Sequence, residues 1–193
     1  MEERSLKAQL DEFHPLHPEA WGALDDLLEE KKLQRQEFLV REGERPQHCY
    51  FLASGVVRVF FSKDGSEYNK TFFLPGSFPT PLTALLTGSP AELSFQALTE
   101  CKLRQFSYRR FRALFGEHRS LEQLLLKILE QIWIDKERHD IRMVVNQATT
   151  NYLIFREEFP GLEQLIPQYH IASYLGITPI QLSRIRAQLL KAK

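Results

Sequence analysis

The sequence predicts an α+β protein: an N-terminal antiparallel β roll with flanking helices, a long central helix, and a small all-α unit at the C-terminal end. Three observations carry this. Between about residue 31 and residue 107, short β-rich runs are punctuated by Gly and Pro with no long helical pattern between them. From Tyr108 onward the apolar spacing returns to the helical period. The stretch IASYLGITPIQLSRIRAQLL, residues 171–190, reads as two short helices joined by a tight turn.

Up to about Glu30 the spacing is helical, with Trp21, Leu24, Leu27 and Leu28 along one face. The following stretch switches to short strands, and Lys63-Asp64-Gly65-Ser66 is a hairpin turn between two of them. The runs LSFQALTE and CKLRQFS extend the pattern to about Ser107. Gly116 separates a short helix from a long one with two apolar stripes: Leu121, Leu125, Ile128 and Ile132 on one, Leu126, Leu129 and Trp133 on the other. A helix apolar on two faces needs two partners. The roll is one, and the other is a copy of the same helix, with Leu121, Leu125, Ile128 and Ile132 assigned to the dimer seam; the competing interpretation buries both faces within one subunit. NQATTNYLIFREEFPGLEQLI then supplies a further helix that ends near Pro160-Gly161. The chain is thereby divided into a roll (1–117), a long dimerisation helix (118–145) and a terminal helical unit (146–193).

The start of the last helix is written out residue by residue. Gly176 ends the preceding helix, Thr178 suits the N-cap, Pro179 suits the first helical position, and Gln181 three residues after the cap completes a capping box. Leu182, Ile185 and Leu189 share one face, whereas Ile180, Ser183, Arg184 and Ala187 point away from it. Small Ala172 sits where two helices must approach closely. This is the layout of a helix-turn-helix, whose second helix enters the DNA major groove. The competing interpretation is an αα-hairpin that only packs.

Composition narrows the classes. The chain has 193 residues, 43% of them hydrophobic, enough for one good core and a small second unit without covalent staples. Two cysteines, Cys49 and Cys101, cannot supply a disulfide scaffold or an iron–sulfur cluster. A charged start and the lack of a long apolar run predict a cytoplasmic protein without a membrane span. Formal net charge is zero, but residues 168–193 carry Arg184, Arg186, Lys191 and Lys193 and no acidic residue, so the C-terminal end is the basic end. His14 with His17, and His48 with Cys49, lack a third ligand at useful spacing, so no metal site is expected. LPGSFPTPL lacks the P-loop lysine, no nucleophile–base set can be proposed, and no cofactor is called for. The protein is not read as an enzyme.

The run GVVRVFFSKDGSEYNKTFFLPGSF, the two-faced helix, and IASYLGITPIQLSRIR preceded by NYLIFREEFPGLEQLIPQYH together resemble the Crp/Fnr family of bacterial transcription regulators over nearly the whole chain. The resemblance implies a cyclic-nucleotide-binding-like jelly roll as sensor, a homodimer joined by the central helix, and paired reading heads. Three departures bear on function. Where cyclic-nucleotide-binding members have a Gly-Glu pair and an Arg beside Ser or Thr, this chain matches with Thr80-Pro81 and Ala91-Glu92; a phosphate would meet a carboxylate and no guanidinium. Binding of cyclic AMP is therefore not expected. The cysteine cluster of the iron–sulfur branch is absent. The β-hairpin wing that usually follows the reading helix is expected to be missing, and Pro179-Ile180 replace the polar residues with which better-known members read bases.

The expected function is a sequence-specific, homodimeric regulator that binds double-stranded DNA. Arg184 contacts a base or phosphate; Ser183, Gln181 and Thr178 lie beside it at the helix start; Arg186 and Lys191 contact the backbone. An unidentified small-molecule effector is the further partner, with Phe73, Phe78, Leu82, Leu85 and Glu92 lining the roll's opening. The alternative is a sensor or interaction module whose terminal helices no longer read DNA, motivated by the missing wing and the modest basic charge.

Overall fold

The computed structural model describes residues 6–191. Helix α1 (Leu6–Phe13) is separated from α2 (Pro18–Asp25) by the HPLHP stretch, in which Pro15 interrupts the helix and Pro18 occupies the first turn of the next. The helical reading to Glu30 overruns: α2 stops at Asp25, a tight turn bonds Leu27 N–H to the Leu24 carbonyl, and Glu29–Leu33 forms strand β1. Only Leu33 of this strand is buried. Its charged residues suit an edge strand, where Glu30 pairs with Arg104 across the ladder at 3.4 Å.

The roll is completed by β2 (Phe38–Val40), β3 (His48–Ser54), β4 (Val57–Lys63), β5 (Ser66–Phe73), the short helix α3 (Leu82–Thr87), β6 (Ser94–Ala97) and β7 (Cys101–Ser107). All ladders are antiparallel, in a three-stranded sheet of order β1-β7-β3 and a four-stranded sheet of order β2-β6-β4-β5. The expected hairpin joins β4 to β5 with Lys63 opposite Ser66; Asp64 (φ 52°) and Gly65 (φ 75°) adopt the two positive φ values that match the twist of the strands. At the other end of β4, Gly55 has φ 97°, and a Cβ there would meet the Glu100 carbonyl at 2.3 Å. Between the sheets, Leu39, Leu52, Val57, Val59, Phe95 and Leu103 form a packed core.

After β7 come α4 (Tyr108–Ala113), a 3-10 turn (Leu114–Gly116) and the long helix α5 (Arg119–Val145), 27 residues or about 40 Å. Its first apolar stripe does not lie where the dimer assignment put it. Leu121 is fully buried, together with Leu124, in a core built by α1, α2, Phe51, Phe106 and Phe111, and Leu125 and Ile128 pack on that same core. Of the four residues assigned to the seam, Ile132 alone stays open, 47% exposed. The second stripe is the free one: Leu126 and Trp133 are 53% and 65% exposed. The reason is positional, since only the first turns of α5 lie over the roll and its helices.

Helices α6 (Ala148–Glu158), α7 (Leu162–Leu165), α8 (Gln168–Tyr174) and α9 (Pro179–Lys191) form the terminal unit. Its core is not self-contained. Ile171, Leu175, Leu182 and Ile185 join Tyr152, Phe155 and Leu162, and this cluster continues into Val56, Phe72 and Leu98 of the roll. The ring of Phe72 lies 5.6–6.2 Å from those of Phe155, Phe159 and Tyr174, so one strand residue is gripped by three aromatic rings of the head. No described helix is long and apolar enough to cross a membrane.

Candidate nucleic-acid interface

The α8–turn–α9 unit is held by local chemistry. Gly176 takes φ 66°, the left-handed conformation that ends a helix at least cost in glycine, and the Ile177 N–H then returns to the Ala172 carbonyl at 3.0 Å. The Thr178 N–H donates to Gln181 Oε1 at 2.9 Å, and the Gln181 N–H donates to Thr178 Oγ1 at 3.2 Å, the reciprocal pair of a capping box. Leu182 and Ile185 are buried beneath the helix, and Ala172 is buried where α8 crosses it.

The opposite face is open. Ile180 is 65% exposed, and Gln181, Ser183, Arg184, Ala187 and Lys191 are exposed as well. Arg184 makes no ion pair with any described residue. Lys191, seven residues on, falls on the same side of α9 two turns away. Arg186 is half-buried at the edge, close enough to the Tyr152 hydroxyl to oppose the raised pKa, about 12, that burial and Glu163 give it. The Thr178 hydroxyl is occupied by the cap, while the Gln181 side-chain N–H groups remain free to donate.

The residues assigned to an effector pocket are not brought together. Phe73 packs on the core between the sheets, but Phe78 lies on the other side of β3, against Phe51 at 5.5 Å and Phe13 at 6.4 Å. Leu82 and Leu85 are half-buried on α3, and Glu92 is exposed. Ala91, matched to the clamp arginine by resemblance, is buried in the core of the roll, and its backbone bonds to Gly43 N–H and the Glu44 carbonyl. Thr80 is tied to β3, its hydroxyl accepting from Tyr50 N–H at 2.9 Å.

A polar cluster between roll and head was not anticipated. Arg58, on β4, is 5% exposed and donates to Gln96 Oε1 and to Glu67 Oε2 (2.6 Å), with its plane over Phe60. Asn69, on β5, donates its backbone N–H to Ser173 Oγ (2.9 Å) and its Nδ2–H to the His170 carbonyl (3.2 Å). His170 is 4% exposed, and its Nδ1 lies 3.3 Å from both Arg58 Nη1 and Asn69 Nδ2. Burial, then the Arg58 charge, pushes the His170 pKa down to about 4, against a smaller opposite effect of Glu67. The signal in the sequence was Arg58 itself, one charge inside the apolar run GVVRVFF.

The model of the cyclic nucleotide-binding domain matches residues 30–118. The fold joins a cyclic-nucleotide-binding-like roll by a long helix to a helix-turn-helix unit, and the relatives that the chain matches support a transcription regulator. The transcriptional activator protein FnrA of Stutzerimonas stutzeri is 26% identical over 187 residues, covering 88% of this chain and 74% of that protein. The transcriptional activator protein Anr of Pseudomonas protegens is 31% identical over 126 residues, which is 58% of this chain and 52%, about half, of Anr. The structure of FixK2 from Bradyrhizobium japonicum superposes with a TM-score of 0.71 at 20% identity, covering 86% of this chain and 85% of that one. Together these similarities indicate a regulator of the Crp/Fnr type.

Proposed function

We propose that the protein is a cytoplasmic, homodimeric regulator that reads double-stranded DNA sequence-specifically through α9, and that its roll does not bind cyclic AMP. The observation that carries the reading is the outer face of α9. A helix capped at Thr178 and anchored by Leu182 and Ile185 presents Ser183 and an unpaired Arg184 beside its N-terminus. Two such helices about 34 Å apart in a two-fold dimer enter successive major grooves of a palindromic site. Arg186 and Lys191 supply phosphate contacts, which position the head without specifying sequence. The dimer seam is formed by the free stripe of α5, Leu126 and Trp133 with Ile132, rather than by Leu121, Leu125 and Ile128. A buried Ala91 in place of a guanidinium leaves a cyclic phosphate without a charged partner.

The test is a gel-shift titration at several salt concentrations, on a site selected from random DNA and on a scrambled duplex. Arg184→Ala should keep the fold, because the side chain is exposed, and weaken binding to the selected site by about 1 to 3 kcal/mol with relaxed preference at one position. Equal weakening on both duplexes with a flatter salt slope would make Arg184 a phosphate contact instead. If wild type and variant bind neither duplex at low salt, DNA reading is wrong and the chain is an interaction module.

A further inference from the structure

Between the roll and the head lies a cavity of ≈ 130 Å³, lined on one side by Arg35, Gln36, Arg58 and Gln96 and on the other by Tyr169 and His170. At about 30 Å³ per water, it holds roughly four waters or one small ion of similar size. No carboxylate lines it.

The hydrogen-bonding capacity of its walls is one-sided. The His170 Nδ1 faces two donors, Arg58 Nη1 and Asn69 Nδ2, and so must accept. That places the imidazole proton on Nε2, a donor with no acceptor among the described residues, on a residue that is 4% exposed. Opposite stands Arg35, exposed and without an ion pair among the described residues. Its place is set by its neighbour: Gln36 holds φ 71°, uncommon for a residue other than glycine, and is tied to β6 by its N–H to the Ala97 carbonyl and by its carbonyl to Gln96 Nε2. The charge of Arg58 is answered by Glu67 behind the wall, so Arg35 carries the uncompensated positive charge at this opening.

We propose that this cavity binds a small oxyanion, a phosphate or carboxylate group, held by the Arg35 guanidinium on the roll and by the His170 Nε2–H and Tyr169 hydroxyl on the head. The site is separate from the interior of the roll, which is filled. Because its two walls belong to the roll and to the reading head, the bound anion ties the head to the roll and stabilises the docked arrangement by an amount that grows with the logarithm of anion concentration above Kd. The proposal rests on that docking and not on DNA reading, so each stands or falls separately.

The test is NMR titration of the full chain, near pH 7 and at constant ionic strength, with inorganic phosphate in one arm and acetate in the other, following the His170 side-chain nitrogens and the Tyr169 and Arg35 amides. The expected result is a saturable shift at His170 in at least one arm, with Kd of about 5 mM or tighter. The arm that saturates identifies the oxyanion. Arg35→Ala, a surface change, should weaken that binding at least about tenfold, while Lys31→Ala, on the neighbouring open groove, should leave it unchanged. Linear, unsaturated shifts in both arms, or equal binding by Arg35→Ala and wild type, overturn the proposal.

Discussion

Replacing Trp133 by alanine should dissociate the proposed dimer and leave each subunit folded. The ring is 65% exposed in the single chain. Of roughly 250 Å² for a tryptophan side chain, that leaves about 160 Å² open to a partner. Burying half of it across a two-fold seam, at about 25 cal/mol per Å², stabilises the dimer by about 2 kcal/mol from each subunit, or about 4 kcal/mol in all. Truncation to alanine should therefore raise the dimer Kd by nearly a thousandfold. Sedimentation velocity over a dilution series measures this directly, and the emission of the wild type gives a second readout: the chain has two tryptophans, and Trp21 is packed in the helical core, so a red shift on dilution reports Trp133. Far-UV circular dichroism should be the same for both proteins. A wild type that sediments as a monomer at about 10 μM, or a variant with unchanged Kd, would refute the seam. Leu121→Ala provides the contrast, because it removes a fully buried side chain and should destabilise the subunit by about 2 to 5 kcal/mol instead of acting on association alone.

Acid should loosen the molecule from about pH 6.5 downward. The His170 pKa is depressed to about 4, below the ordinary value near 6.5, so the unfolded chain takes up the proton first; the stability is complete above about pH 6.5 and is lost as pH falls toward 4, by at most about 3 kcal/mol. His139, also lowered by burial, acts in the same direction. Urea titrations at several pH values should show the loss and a shallower pH slope in His170→Gln; equal slopes would contradict the assignment to His170. Calorimetry with cyclic AMP should give no saturable heat, and submillimolar affinity with the phosphate beside Ala91 would overturn the proposal that a buried alanine leaves the phosphate without a partner.

The parts legible in the sequence were those set by short-range rules. The hairpin at Asp64-Gly65 and the cap at Thr178 and Gln181 depend on φ preference and on side-chain reach over three residues, which are printed in neighbouring letters. The division of α9 into a buried and an open face follows from its period in the same way. The two stripes of α5 were equally visible, but which one meets the roll was not: period locates a stripe on a helix and says nothing about how far the underlying body extends along it. The supposed effector residues failed for a related reason, since Phe73 and Phe78 lie close in sequence yet fall on opposite sides of β3. Only the tertiary structure decided that the head shares its core with the roll through Phe72, and that Arg58, Asn69, His170 and Ser173, separated by about a hundred residues, satisfy one another there. A buried polar group must find a partner wherever the chain's packing brings one, and no local pattern records where that will be.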